Sequence, residues 1–348
     1  MNIAGSGFIG ARLVEKLAAG AVDSLARIAM RDFFGRITAA LLGWCCIATG
    51  AQTSNLPEAL LQEPIHLIAG QQTSLADFRG RKPVYLKFWA TWCQPCRQQM
   101  PHFEHVQREY GDEIEVIAIN LGINDDIQSI KEAIGEFGLT MPMAIDESGD
   151  LAQRFRLIGT PYHLVFDADM NLIHYGHEAD SVLDSSLALV AQRRQTEIID
   201  PTVLVENEAD IPVELDDGRL HALLFTATWC DWYWAETRPE ASRSCIQAQQ
   251  VVNGLHEKYL DVRWLGVINR LWTGDKDLAE YKSKFAVQHA AQIDKSNRLF
   301  HQYGINTLPV LLLIEKGEVV GKITDFSDPA AVAAQLESLQ QDGLEPPK

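Results

Sequence analysis

The chain has 348 residues, 47% hydrophobic and 22% charged, with 30 Lys and Arg against 47 Asp and Glu. That is the composition of a soluble globular protein, long enough for two cores of about 150 residues each. A formal net charge of −17 and the lack of any basic run exclude a nucleic-acid backbone as partner, because phosphate binding needs clustered Lys and Arg.

The first 54 residues read as a leader. Gly5-Ser6-Gly7-Phe8-Ile9-Gly10 satisfies GxGxxG. A dinucleotide site also needs a leading strand, a second strand and an acidic residue about 20 positions on, within one βαβ unit. No such unit follows, and no NAD(P) or other cofactor is expected. Ile37 to Gly50 is an uncharged, mostly apolar run preceded by Arg31 and Arg36, with Thr49-Gly50-Ala51 as small residues at its exit. A basic start, an apolar core of about 7–15 residues and a small-residue exit describe a secretory signal peptide, here about 31–51. Met30 is then a better start than Met1. The run is shorter than the ~20 residues a spanning helix needs. The expectation is a periplasmic protein that meets a membrane only through an uncleaved leader. Cys45 and Cys46 depart with it; Cys93, Cys96, Cys230 and Cys245 remain, an even set for a compartment where disulfides persist.

Residues 55–197 form the first expected domain. Val84 to Trp89 is a strand, Cys93 opens a helix running to about Tyr110, Glu115 to Asn120 is a strand and Ile127 to Phe137 has helical spacing. Met143 to Asp146, a short helix near Leu151 to Phe155, and Gly159-Thr160-Pro161 follow. Leu164 to Phe166 and Leu172 to Tyr175 make a hairpin, and Ser181 to Gln192 closes as a helix. Residues 198–348 repeat the order. Leu220 to Phe225 is a strand, Cys230 begins a turn and Val262 to Ile268 is a strand. Ala291 to Asp294 leads to Asn297–Gln302, then Leu308-Pro309, strands Val310 to Ile314 and Val319 to Ile323, and a helix from Ala330 to Leu339.

The chemistry sits at the junctions. Phe88-Trp89-Ala90-Thr91-Trp92-Cys93-Gln94-Pro95-Cys96 is nearly repeated as Phe225-Thr226-Ala227-Thr228-Trp229-Cys230, without the nearby second cysteine. A cysteine at a helix N-terminus faces unpaired N–H groups, which favour thiolate and lower its pKa from about 8.5 toward ~3.5–7.5. Cys93 is the expected nucleophile and Cys96, one turn on, the resolving thiol; Pro95 suits the first turn, where its missing N–H costs nothing. No second Cys-x-x-Cys or Cys/His set has zinc spacing. Asp146 to Pro161 and Asp294 to Pro309 are both 15 positions, while Cys96 to Pro161 is 65 and Cys245 to Pro309 is 64. Cys245 therefore stands where a second cysteine belongs, behind an insert of Asp231 to Ser244. Cys230 and Cys245 admit a structural disulfide, a second redox pair or two free thiols. Trp232, Tyr233 and Trp234 of the insert form either an exposed docking surface or packing over the second domain.

Strand, Trp-Cys-x-Pro-Cys, helix and a proline before a late hairpin resemble the thioredoxin superfamily. FWATWCQPCRQQMP, the upstream Ile65 to Gly80 segment and the added helix between central strands are similar to its TlpA/ResA-like thiol–disulfide oxidoreductases. The resemblance covers about 60–195 well and 198–340 at the level of fold only. It implies an α/β protein with two tandem thioredoxin-like folds, each a central mixed β-sheet flanked by helices. It also implies a cis Pro161 that presents the Thr160 backbone to a bound peptide beside Cys93, with Trp92 and Pro95 completing the site. Two residues depart from the pattern. Lys87 stands where thioredoxins carry a buried acid, and Gln99 where some ResA-like members carry glutamate. Glu104 or Asp146 are the carboxylates left to substitute, Asp146 reading better as a strand-end turn residue.

His102, His105 and His163 lie near the site without a metal pattern, and Met141-Pro142-Met143 reads as core and turn rather than copper ligands. The expected function is an enzyme, a periplasmic thiol–disulfide oxidoreductase exchanging Cys93–Cys96 with disulfides of exported thiol proteins such as apocytochromes, coupled to an upstream electron donor or acceptor. The alternative is a binding protein whose second domain holds a partner or copper while the first keeps it reduced. A peroxiredoxin is excluded by Trp92-Cys93-Gln94-Pro95-Cys96, which lacks the Pro/Thr setting of a lone peroxidatic cysteine.

Overall fold

The computed structural model describes residues 55–204 and 209–342. The leader, the GxGxxG pattern, the signal-like run, Cys45 and Cys46 lie outside them. A small hairpin of β1 (Ile65–His66) and β2 (Gln72–Thr73) comes first. The first five-stranded sheet holds β3 (Val84–Trp89), β4 (Glu115–Asn120), β5 (Met143–Ile145), β6 (Tyr162–Phe166) and β7 (Leu172–Gly176) in the order β5-β4-β3-β6-β7. β3, β4 and β5 run parallel, while β6 and β7 return antiparallel. Every residue of β3 is buried, as a central strand covered on both faces requires.

The second sheet holds β8 (Leu220–Thr226), β9 (Arg263–Ile268), β10 (Ala290–Ile293), β11 (Val310–Glu315) and β12 (Glu318–Ile323), ordered β10-β9-β8-β11-β12. Its order and strand directions reproduce the first. The protein is α/β, with two mixed sheets flanked by helices as tandem thioredoxin-like folds. The correspondence reaches details. Both late hairpins shift register at one place, between Val165 and Phe166 and between Leu313 and Ile314. Asp146 and Asp294 each accept N–H groups of the short helix that follows, from Leu151 and Ala152 and from Leu299 and Phe300. Thr160–Pro161 and Leu308–Pro309 are both cis.

One expectation needs correction. The helix from Cys93 to Tyr110 is two helices, Gln94–Gln98 and Met100–Tyr110, meeting at Gln99. Pro101 has no N–H to give the Arg97 carbonyl, so the first helix cannot run on unbroken. The insert forms a short helix, Cys230–Tyr233, and the opening of Pro239–Lys258, which carries Cys245 in its interior. One apolar cluster joins the two sheets, with Trp92, Cys93 and Cys96 from one side and Trp229, Cys230, Trp234 and Cys245 from the other.

Candidate functional site

Cys93 is the N-cap of Gln94–Gln98, and its Sγ accepts from the Cys96 N–H at 3.2 Å. Cys93 and Cys96 are joined by a disulfide, as are Cys230 and Cys245. The Cys96 N–H would hold a Cys93 thiolate after reduction, by charge-assisted hydrogen bonding. Pro95, Thr160 and Pro161 line one groove of about 710 Å³, so the redox turn and the cis-proline turn share a wall. His177 donates from Nδ1 to the Pro161 carbonyl at 2.7 Å, and Gln99 donates from Nε2 to the His177 carbonyl at 3.0 Å. Trp92, Cys93, Pro95, Cys96, Thr160 and Pro161 thus come together at one place.

The second half covers that place. Trp92 stacks on Trp229 at 5.2 Å between ring centroids, with Trp234, Tyr233 and Trp272 edge-on at 5.4, 6.2 and 6.0 Å. The Tyr233 hydroxyl accepts from the Gln94 N–H at 3.0 Å. Cys93, between Trp92 and Gln94, the two residues these side chains contact, is 0% exposed. The insert is therefore neither an exposed surface nor a cover for its own half alone: Trp234 is buried against the first half, and only Trp232, at 59% exposure, faces outward.

Arg238, also in the insert, fastens the cover. It donates to the Asn124 carbonyl, to Thr91 Oγ1 at 2.7 Å and to Asp125 Oδ1 at 2.5 Å. Asp125 also accepts from Thr91 N–H at 2.7 Å and Asn120 Nδ2 at 2.8 Å. Two left-handed residues lock the halves reciprocally. Asn124 (φ 50°) donates its N–H to the Asn306 carbonyl, and Trp272 (φ 49°) donates to the Ile158 carbonyl, both at 2.8 Å. Asn306 and Ile158 each stand three residues before a cis proline. The Asn124 side chain also binds both peptide groups of Leu308, accepting from its N–H at 2.8 Å and donating to its carbonyl at 3.0 Å. His301 pairs with Asp150 at 2.6 Å as a further tie. Sequence reasoning missed Asn124, Asp125, Arg238 and Trp272. The Asn124-Asp125-Asp126 run signalled only a turn and the Asp126 cap of Ile127–Phe137.

Behind the redox turn lies a buried polar group. Lys87 donates to Gln99 Oε1 at 3.3 Å and lies 5.1 Å from the centre of the Phe103 ring. His163 shares the same Gln99 oxygen through Nε2 at 2.9 Å and meets the Tyr85 hydroxyl through Nδ1 at 2.7 Å. Burial lowers the Lys87 pKa from 10.5 to about 7 and holds His163 well below its usual range, with Lys87 adding repulsion to His163. Glu104 is committed to Arg108 and Thr140. Asp146, raised to about 6 by burial, is committed to its helix cap. His102 bonds Asp184 and His105 bonds Glu109. Met141 and Met143 are packed in the core, and among the described residues no group of three or more His, Cys, Asp or Glu is placed to hold a metal. No helix among them is long and apolar enough to cross a membrane.

Residues 60–188, spanning the first sheet and its redox turn, match the family model described as Redoxin. The thioredoxin-like protein YneN of Bacillus subtilis is 34% identical over 125 residues, 35% of this chain and 72% of the relative. The thiol-disulfide oxidoreductase ResA of Bacillus thuringiensis subsp. konkukian is 32% identical over 107 residues, 30% of this chain and 60% of the relative. A solved structure, a secreted Mycobacterium tuberculosis disulfide oxidoreductase homologous to E. coli DsbE, is 20% identical with a TM-score of 0.34, covering 38% of this chain and 98% of that one. The chain belongs to the redoxin family, as a TlpA/ResA-like member of the thioredoxin superfamily. Its class of chemistry is thiol–disulfide oxidoreduction.

Proposed function

We propose that this protein is a periplasmic thiol–disulfide oxidoreductase that exchanges Cys93–Cys96 with disulfides of exported proteins, apocytochromes among the candidates. The observation that carries this reading is the Cys93–Cys96 disulfide at a helix N-terminus, on a groove shared with cis Pro161. A client thiolate attacks Cys93 Sγ, the Cys93–Cys96 bond breaks, and Cys96 leaves as thiolate; the reverse sequence reduces a client disulfide. Trp92 and Pro95 shape the turn, and the Thr160 backbone beside Pro161 aligns the client chain. The periplasmic part of this reading rests on the leader-like sequence and the even set of cysteines.

In this reading the chain has two domains, 55–197 and 198–348, a division that the two separate sheets support, and only the first is competent. The backbone of Leu308, the counterpart of Thr160, is occupied by Asn124, whereas Thr160 opens on the groove. Cys230–Cys245 acts as a structural clamp that holds the aromatic insert over Cys93. A client reaches Cys93 once that cover lifts. The alternative, a second domain that binds while the first reduces, has one observation in its favour: the insert does dock, onto the first half. Turnover of insulin disulfides with a dithiol tests the enzyme reading. Wild-type protein is expected to turn over and Cys93→Ser to lose turnover; equal activity in both would reject it.

A further inference from the structure

A second cavity, of about 610 Å³, opens beside the redox turn. Pro95 and Thr160 border it, as they border the groove already described, and the second half supplies the rest of its wall. Four rings of that half line it: Trp229, Trp232, Tyr233 and Trp272. Tyr233 sits among the other three, its ring centroid 5.8 Å from Trp232, 6.1 Å from Trp229 and 5.7 Å from Trp272. Trp232 and Trp272 are exposed, and contiguous aromatic surface rimmed by polar groups marks an interaction site. The rim is acidic. Asp277 and Glu280 stand three positions apart on one face of the helix Asp275–Lys284, and both line the cavity. Lys284, the cation of the lining, is held by the buried Asp231 carboxylate. Asp277 accepts from the Gly274 N–H at 2.8 Å, and Glu280 lies 3.6 Å from exposed Lys276, a surface pair that contributes little. With Lys284 matched by Asp231, the charges of Asp277 and Glu280 are in surplus. Thr160 gives an independent sign of an absent ligand. Its hydroxyl is buried without a hydrogen-bond partner among the described residues, whereas buried hydroxyls are ordinarily paired.

Resting on the oxidoreductase reading above, we propose that this cavity is a client-recognition site carried by the second half. It takes a cationic side chain, arginine before lysine, that stands close in sequence to the client's reacting cysteine. Ring faces attract a cation, and the surplus carboxylates add to that attraction while repelling an anion. Guanidinium stacks on aromatic faces and is more weakly hydrated than ammonium, so arginine is the better fit. Its several N–H donors suit both carboxylates and the Thr160 hydroxyl. Because Pro95 and Thr160 border the cavity, a side chain docked there brings its own main chain to the cis-proline turn. The second half is then a selector as well as a cover. Tyr233 lines the cavity and also holds the Gln94 N–H beside Cys93, so an occupant touches the cover itself.

The test uses the full-length oxidised protein and short peptides in which serine replaces the reacting cysteine, so that docking is read without exchange. One peptide carries arginine two residues from the serine; its pair carries citrulline there, which keeps the shape and removes the charge. By calorimetry the arginine peptide should bind about tenfold tighter at low salt, with the ratio shrinking as ionic strength rises. Asp277→Asn/Glu280→Gln and Trp232→Ala, all at exposed positions, should each cut that ratio to about threefold or less. Equal binding of the two peptides by wild-type protein, or an unchanged ratio in both variants, overturns the proposal. Binding of N-acetylarginine amide as tight as that of the arginine peptide also overturns it, since the occupant would then be a small molecule. Cysteine versions of the peptides, capped as glutathione disulfides, separate this proposal from the reading beneath it. The arginine version should be exchanged with a kcat/KM about tenfold higher than the citrulline version. If wild-type protein exchanges both at one rate, the oxidoreductase reading stands and the selector fails. If it exchanges neither, the oxidoreductase reading fails and the client role proposed here fails with it.

Discussion

Trp92 and Trp229 stack face to face at an interplanar angle of 28°, and each indole N–H donates to a backbone carbonyl of its own half, Ile123 at 2.6 Å and Leu271 at 2.7 Å. Each tryptophan precedes the first cysteine of its half, so the two Trp-Cys turns meet nose to nose. Aromatic pairs of this kind contribute about 0.5–1.5 kcal/mol beyond the area they bury. The contact makes access to Cys93 a property of the interface between halves.

Arg238→Ala should loosen that interface. It leaves the fully buried Asp125 carboxylate without its cation, and breaking such a pair costs about 3–5 kcal/mol. The expected result is reduction of Cys93–Cys96 by dithiothreitol at least tenfold faster than in wild type, with mass spectrometry after alkylation identifying the bond. An unchanged rate would mean that the cover does not limit access.

Removing the second disulfide should lower stability while sparing chemistry. Cys230 and Cys245 are 15 positions apart, and a loop of that length is worth about 3 kcal/mol in the chain-entropy account. Cys230→Ala/Cys245→Ala is expected to unfold at lower urea with turnover at Cys93 retained. Loss of turnover in a protein that remains folded would make the pair a second redox centre.

Stability should rise with pH above neutrality because of Lys87. In the unfolded chain the amine keeps its proton to about 10.5, in the folded protein only to about 7. The unfolded state therefore binds more protons across that window, and folding gains about 1.4 kcal/mol per unit of pKa difference as pH climbs. Lys87→Met should be the more stable protein at pH 7, with the gap to wild type closing toward pH 10. Parallel urea midpoints at pH 7 and pH 9.5 would contradict this.

Both sheets were legible because their signals are local: apolar runs between turn residues, and a cysteine-to-proline spacing kept in both copies. Cys93, Cys96 and Pro161 were legible for the same reason, as was the departure at Lys87. The cover was not. Arg238 and Asp125 are 113 positions apart, and nothing in either segment names the other. Trp232, Tyr233 and Trp234 announce an aromatic surface without saying which faces inward, since that depends on a rotation set by the disulfide and the helix Pro239–Lys258. The split at Gln99 has one local signal, Pro101, two residues on. Its consequence, a glutamine turned onto Lys87 and His163, emerges only when β3 and β6 are paired.

The most direct test of the central claim is a glutathione redox titration of the protein, with alkylation and mass spectrometry assigning every cysteine. Cys93–Cys96 should pass reversibly between disulfide and dithiol with one midpoint, while Cys230–Cys245 stays bonded across the same range. A Cys93–Cys96 pair that never titrates, or a Cys230–Cys245 pair that titrates in its place, would contradict the account.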